Sequence, residues 1–182
     1  MFFEFALIDI MKKKIIDQIT ATVVFLFILT LLRFKLDLSL VPLWFGGFLG
    51  AVILESDYLF QVFLVQPDLP LSKDTMREIR EFGVIRGVKM VFERTEEIKN
   101  LTFHTIFFQI IFYLFAFFIT TSSGSVLGEG LVMSALLNLL VLQIGEFREF
   151  GKLDSGWFYR LNIDQSVEKQ KIYVAVMAIL FV

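Results

Sequence analysis

Four apolar stretches, at residues 19–32, 38–65, 101–119 and 126–144, divide this chain of 182 residues, and charged or Ser/Thr/Gly-rich links separate them. A soluble domain of this length has one core to fill, and such domains are roughly 45–50% apolar. Here 57% of the residues are hydrophobic and the mean hydropathy is +0.74. The 23 phenylalanines alone are more large rings than a small water-exposed domain can cover without leaving aggregation-prone patches. The excess calls for an apolar solvent, and the predicted fold class is all-α: a polytopic transmembrane helical bundle forming one integral membrane domain over residues 1–182, with four spans and a partial fifth.

The stretch 19–32 is shorter than the roughly 20 residues that cross a bilayer comfortably, so Ile15 and Ile16 are read as extending it. Lys12–Lys14 could be the basic region of a signal peptide. Arg33, Phe34 and Lys35 follow the apolar run with no small-residue cleavage site, so the span is read as uncleaved. Residues 1–17 mix apolar residues with Glu4, Asp9, Lys12–Lys14 and Asp17, as an interfacial helix does. In 38–65, Pro42 falls in a tolerated first turn, and Pro67 and Pro70 end the helix. In 71–100, charges alternate with Ile79, Phe82, Val84, Ile85, Val88, Met90, Val91 and Phe92, which predicts a cytoplasmic amphipathic helix on the membrane surface or over the bundle. Thr120–Ser125 reads as a turn, and Trp157, Phe158 and Tyr159 in the 145–171 loop read as interfacial anchors. Residues 172–182 are apolar for only about half a bilayer: an incomplete span or an interfacial segment.

The cations orient this arrangement. With the N-terminus in the cytoplasm, Lys12–Lys14, the seven Lys and Arg of 71–100 and the five of 145–171 are all inside. Only Arg33 and Lys35, of 17 cations, are outside. That distribution follows the positive-inside rule, and one span more or fewer would break it. The net charge of −2 gives no bulk attraction to nucleic acid, and the absence of cysteine excludes disulfides, thiolate metal sites and a cysteine nucleophile. The partners expected are the lipid bilayer and, from nothing more specific, a second copy or another protein.

Charged side chains within a span cost about 2.5–3.5 kcal/mol each at mid-bilayer and mark functional positions. Glu55 and Asp57 lie in the inner half of the second stretch, and His104, the only histidine, near the start of the third. Asn138 and Gln143 lie in the inner half of the fourth, with Glu146 just beyond. Three helices thus carry polar groups at a similar depth, where they could meet in one pocket open to the cytoplasm. Two carboxylates and an imidazole suit a divalent cation such as Zn²⁺, Mn²⁺ or Mg²⁺, which could activate a water for hydrolysis. Glu55, Asp57 and His104 are therefore the candidate catalytic and metal-binding residues, with Glu97, Asn138, Gln143 and Glu146 around them. Glu55 and Asp57 are about 200° apart on a regular helix, so both reach one ion only if the helix unwinds locally. Otherwise one carboxylate faces the bundle and the other the headgroups. Asn138 and Gln143 more simply bond between helices. Glu97 shares a side with His104 only if the helix runs unbroken between them. Gly46, Gly47 and Gly50 include a Gly-x-x-x-Gly spacing that suits close helix packing.

These positions resemble a pattern found in the bacterial inner-membrane metal-dependent hydrolases. Members of that family carry a Gly-rich span ending in Asp-x-Asp-His; here the run ends Glu55-Ser56-Asp57-Tyr58. Their His-Arg-Gly-x-x-His-Ser motif corresponds to Lys99-Asn100-Leu101-Thr102-Phe103-His104-Thr105, and their later His-x-x-x-Asp pair to Asn138 and Leu142. The resemblance covers residues 40–145 and implies an inner-membrane location and a metal-dependent hydrolytic ancestry. Three histidines and one aspartate of the pattern are missing. The expectation is therefore a degenerate, non-catalytic relative that serves as scaffold or partner. The alternatives are an active metal-dependent hydrolase with its site on the cytoplasmic side, and a small transporter.

Overall fold

The computed structural model describes residues 2–33, 37–98, 100–159 and 166–181, with side chains from residue 16 onward except Ser123. Lys35, Lys99, Arg160 and the side chains of Lys12–Lys14, used above to orient the chain, lie outside this description. Among the described residues there are seven α-helices and no strand. They are α1 (Phe2–Leu32), α2 (Val41–Phe60), α3 (Pro70–Phe82), α4 (Val84–Glu93), α5 (Ile106–Phe118), α6 (Val126–Phe150) and α7 (Val167–Phe181). Two helical segments, Leu38–Val65 and Val126–Phe150, are long and apolar enough to cross a membrane. Ile16–Leu32 and Ile106–Ser122 are shorter apolar helices.

Helices α2 and α6 form the centre of the bundle, and glycine is why they approach so closely. A Cβ at Gly46 would overlap the carbonyl of Leu127, one at Gly50 that of Leu131, and one at Gly130 that of Leu43. Gly46 and Gly50, four apart, share one face, and both meet backbone rather than side chain. Contacts advance together along both helices, so α2 and α6 run parallel. Helix α1 runs against them: Thr22 meets Ser134 and Asn138, Leu26 packs on Gly47, and the Trp44 indole donates to Thr30 Oγ1 at 3.0 Å. Helix α5 also opposes α6, with Gln109 at Gln143 and Phe112 and Ala116 packed among Val132, Ala135 and Leu136. Helix α7 follows α5, its Tyr173 and Met177 bonded to Gln109 and Tyr113. Thus α1, α5 and α7 point one way and α2 and α6 the other.

Several elements differ from the sequence reading. Residues 2–32 form one continuous helix rather than an interfacial helix followed by a span. The 71–100 segment is two helices folded back on each other. The bend is at Gly83, whose φ of 96° lies in the region that favours glycine. The third apolar stretch becomes helical only at Ile106, because Thr105 caps α5 by accepting the Phe108 N–H at 3.2 Å. Helix α6 continues past residue 144 to Phe150 and ends at Gly151, with φ 71°. Trp157 and Phe158 are core residues rather than interfacial anchors, packed with Leu54, Ile106, Leu139 and Leu153. The Trp157 indole is drawn inward by a bond to Glu146. Residues 172–181 belong to a longer helix that begins at Val167.

The α2–α6 contact sets a graded expectation. Gly46→Ala and Gly130→Ala each force two backbones apart and should lower stability by about 1–3 kcal/mol. Gly145, also in α6, has nothing within 4 Å of an added Cβ, so Gly145→Ala should be neutral or gain up to about 1 kcal/mol of helix propensity. Thermal unfolding of the three variants in one detergent measures this; equal effects at all three sites would show that the close approach is not limiting.

Candidate functional site

Asp57 is wholly buried on α2, and its carboxylate is the centre of the site. The backbone N–H of Thr102 donates to Oδ1 at 3.1 Å. The N–H groups of Phe103 and His104 donate to Oδ2 at 2.6 and 3.3 Å. The His104 ring reaches the same oxygen through Nδ1 at 3.1 Å. A carboxylate offers about four lone-pair sites, and here four N–H groups approach two oxygens. The three backbone groups can only donate, so Asp57 acts as acceptor, and His104 Nδ1 donates to the same Oδ2 that the Phe103 and His104 N–H groups approach.

One turn further along α2, buried Gln61 holds the same loop. Its amide donates to the Asn100 carbonyl at 3.1 Å and the Thr102 hydroxyl at 2.8 Å. Asn100 takes a φ of 60° there, and Thr105 Oγ1 donates to the Thr102 carbonyl at 2.9 Å before capping α5. The polar pair Asp57 and Gln61, four apart on one face, thus supplies partners for backbone groups that the break between α4 and α5 would leave unpaired.

Aromatic rings enclose His104: Tyr58 with centroids 5.9 Å away and Trp157 at 6.1 Å. Glu146 on α6 accepts the Trp157 indole N–H at 2.8 Å and the Asp154 backbone N–H at 3.1 Å. Among the described residues no group of three or more His, Asp or Glu is placed to hold a metal ion. Helix α2 stays regular through Phe60 and changes to a wider π turn only at Gln61–Val65. Glu55 consequently points away from Asp57 and is partly exposed. The local unwinding that would bring both to one ion does not occur at these residues.

The surrounding candidates divide. Glu97 is not near His104 along a helix face, because α4 ends at Glu93 and Ile98 is extended. It binds Arg94 instead, at 2.6 and 2.8 Å, and this hydrogen bonding raises the guanidinium pKa above its ordinary value. Asn138 donates to Thr22 on α1 at 2.9 Å, and Gln143 to Gln109 on α5 at 2.7 Å, so both join helices as the interhelical reading expected. Gln61, Gln109, Thr22 and Ser134 were not singled out from the sequence. The available signal was that each is a polar residue inside an apolar stretch; Gln61 and Ser134 also lie four residues from Asp57 and Asn138.

Two surface concavities, about 360 and 470 Å³, are lined by residues 65–70 and by Ile144, Phe147, Arg148, Gly151, Lys171, Val174, Ala175 and Ala178. Neither reaches Asp57 or His104. No family model, no curated protein and no solved structure matches this chain.

Removing the acceptor should cost more than removing the imidazole. Asp57→Ala leaves three backbone N–H groups and the ring without a partner, a loss of about 3–5 kcal/mol. His104→Ala leaves the carboxylate its backbone donors and should cost clearly less. Asp57→Asn, which keeps one acceptor oxygen, should fall between. Unfolding midpoints in detergent rank the three, and a His104→Ala loss equal to that of Asp57→Ala would show that the imidazole, not the backbone, is the main partner.

Proposed function

We propose that this chain is a multi-pass inner-membrane protein of bacterial type, with four spans and a cytoplasmic N-terminus. On this reading it is a degenerate, non-catalytic relative of the membrane metal-dependent hydrolases and works as a scaffold or partner. The observation that carries the non-catalytic reading is the occupancy of Asp57: its carboxylate is engaged by Thr102, Phe103 and His104. A carboxylate committed to four N–H groups has little left to offer a cation, and the backbone donors cannot be displaced without opening the loop.

The membrane reading is supported by an inversion of polarity. Phe117 is 72% exposed and Leu114 66%, while Gln18, Thr22, Gln61, Gln109, Ser134, Asn138 and Gln143 are all buried. In water the reverse arrangement is favoured; in lipid, apolar side chains face out and polar ones pair between helices. The alternating helix directions place the starts of α1, α5 and α7 and the ends of α2 and α6 together. On this reading that end is cytoplasmic and holds Asp57, His104 and Glu146. Helix α7 buttresses the bundle, its Phe181 ring 5.4 Å from Phe25. An active hydrolase would need a third ligand beside Asp57 and His104. A carrier would need a polar path to the far side, where Leu26, Leu40 and Leu43 pack together.

Metal analysis tests the proposal. Protein purified in mild detergent without chelator, then incubated with Zn²⁺ or Mn²⁺ and desalted, should hold no more metal than Glu55→Gln and His104→Ala controls. Stoichiometric metal in the native chain, lost in both variants, would restore the hydrolase reading.

A further inference from the structure

The hairpin of α3 and α4 has a dry base and an apolar tip. At the base, Leu71 and Val91 pack with Val62 and Ile98 against Tyr58, Leu59 and Phe63 at the end of α2. Between the two helices Gly87 lies against the Ile79 side chain and the Thr75 carbonyl, so the arms are closely packed. At the tip, every residue from Arg80 to Arg86 is exposed, and Phe82, Val84 and Ile85 are 56%, 64% and 89% exposed. These three side chains join none of the buried core clusters, and in water their exposure is unfavourable.

We infer that this tip is a wedge that enters the headgroup–acyl boundary of an anionic bilayer, the one that, on the membrane reading above, the bundle itself spans. Two observations select lipid as the occupant. The first is continuity. The hairpin follows the exposed apolar end of the α2 segment, Leu64 and Val65 (70% and 46% exposed), after only residues 66–69. Helix α3, with 13 residues, is about 20 Å long, which bounds the distance of the tip from the end of the α2 segment. The second is charge. Arg80 and Arg86 flank the apolar run, and Arg80 has no ion-pair partner among the described residues. The Arg86 guanidinium lies 4.3 Å from the centre of the Phe82 ring while bonded to Glu78 at 2.8 Å. Cations on stems that lie along an apolar surface are suited to phosphate headgroups above buried rings. Glu81 is the one carboxylate in the run from Arg80 to Arg86.

The chain has no cysteine, so a single introduced thiol carries a spin label without background. Ile85→Cys, labelled and reconstituted in nanodiscs containing anionic phospholipid, is compared with Val52→Cys on the outer face of α2 and with Asp68→Cys, whose native side chain is 98% exposed. If the tip is a lipid wedge, the label at position 85 is several-fold more accessible to oxygen than to a water-soluble nickel complex, like that at position 52. Arg80→Gln combined with Arg86→Gln should then shift it toward the aqueous values. Accessibility matching position 68 would overturn the wedge. So would spin–spin broadening at position 85 that disappears on dilution with unlabelled chain, which would make a second copy the occupant. An aqueous signal at position 52 as well would overturn the membrane reading itself. Because the tip makes no core contact, Ile85→Asp should fold with an unchanged unfolding midpoint and leave the boundary, which separates lost docking from lost structure.

Discussion

The bundle depends on pairing buried polar groups inside the protein, and the Asp57 carboxylate is where that requirement is heaviest. The chain enters α5 through residues 100–105 without helical hydrogen bonds, beside an apolar core. An unpaired buried N–H costs about 1–3 kcal/mol, and three in succession would make such a passage untenable. The Asp57 side chain on α2 accepts all three, and Gln61 takes up a carbonyl and a hydroxyl of the same loop. The path into α5, and through it the placement of Gln109 against Gln143, follows from this one acceptor.

The same rule operates with weaker groups deeper in the bundle. Asn138 joins α6 to α1 through Thr22, and Gln109, Gln143 and Tyr173 join α5, α6 and α7. The satisfaction is incomplete: Gln109 Nε2, Gln143 Oε1 and Asn138 Oδ1 have no partner among the described residues. Exchanging the oxygen and nitrogen of both glutamines only transfers the deficit to the other atom of each amide. Neutral amides are tolerated here because each forms at least one bond and because the close α2–α6 contact through Gly46, Gly50 and Gly130 contributes packing that needs no polar group.

Much of the helical plan was legible in the sequence because apolar runs, prolines and glycines act locally. The α2 segment, its start at Pro42, the start of α6 and the glycine face are all read from adjacent residues. Two of the errors share a cause: a distant partner decided the local structure. Leu101–Phe103 is as apolar as the helix that follows, yet it is irregular because Asp57, 45 to 46 positions away in sequence, binds its N–H groups. Trp157 has the composition of a membrane-surface anchor, but Glu146 and the Leu54–Leu139 core draw it inward. The site was half legible: Asp57 and His104 do meet, whereas Glu55 and Glu97 do not join them. Helix phase separates Glu55 from Asp57 by a rule that was available, while the break after α4 that removes Glu97 depends on folding the hairpin back at Gly83.

The surroundings of Asp57 show the same reciprocity between side chain and backbone. The Tyr58 ring, next along α2, lies with its centroid 5.9 Å from His104 and 6.2 Å from Phe92, so aromatic packing shields the carboxyl group from other polar partners. A buried carboxyl group in that setting needs donors. The backbone of residues 102–104 provides them, in a loop that has the converse need for an acceptor. Folding alone therefore accounts for an acidic side chain at this depth.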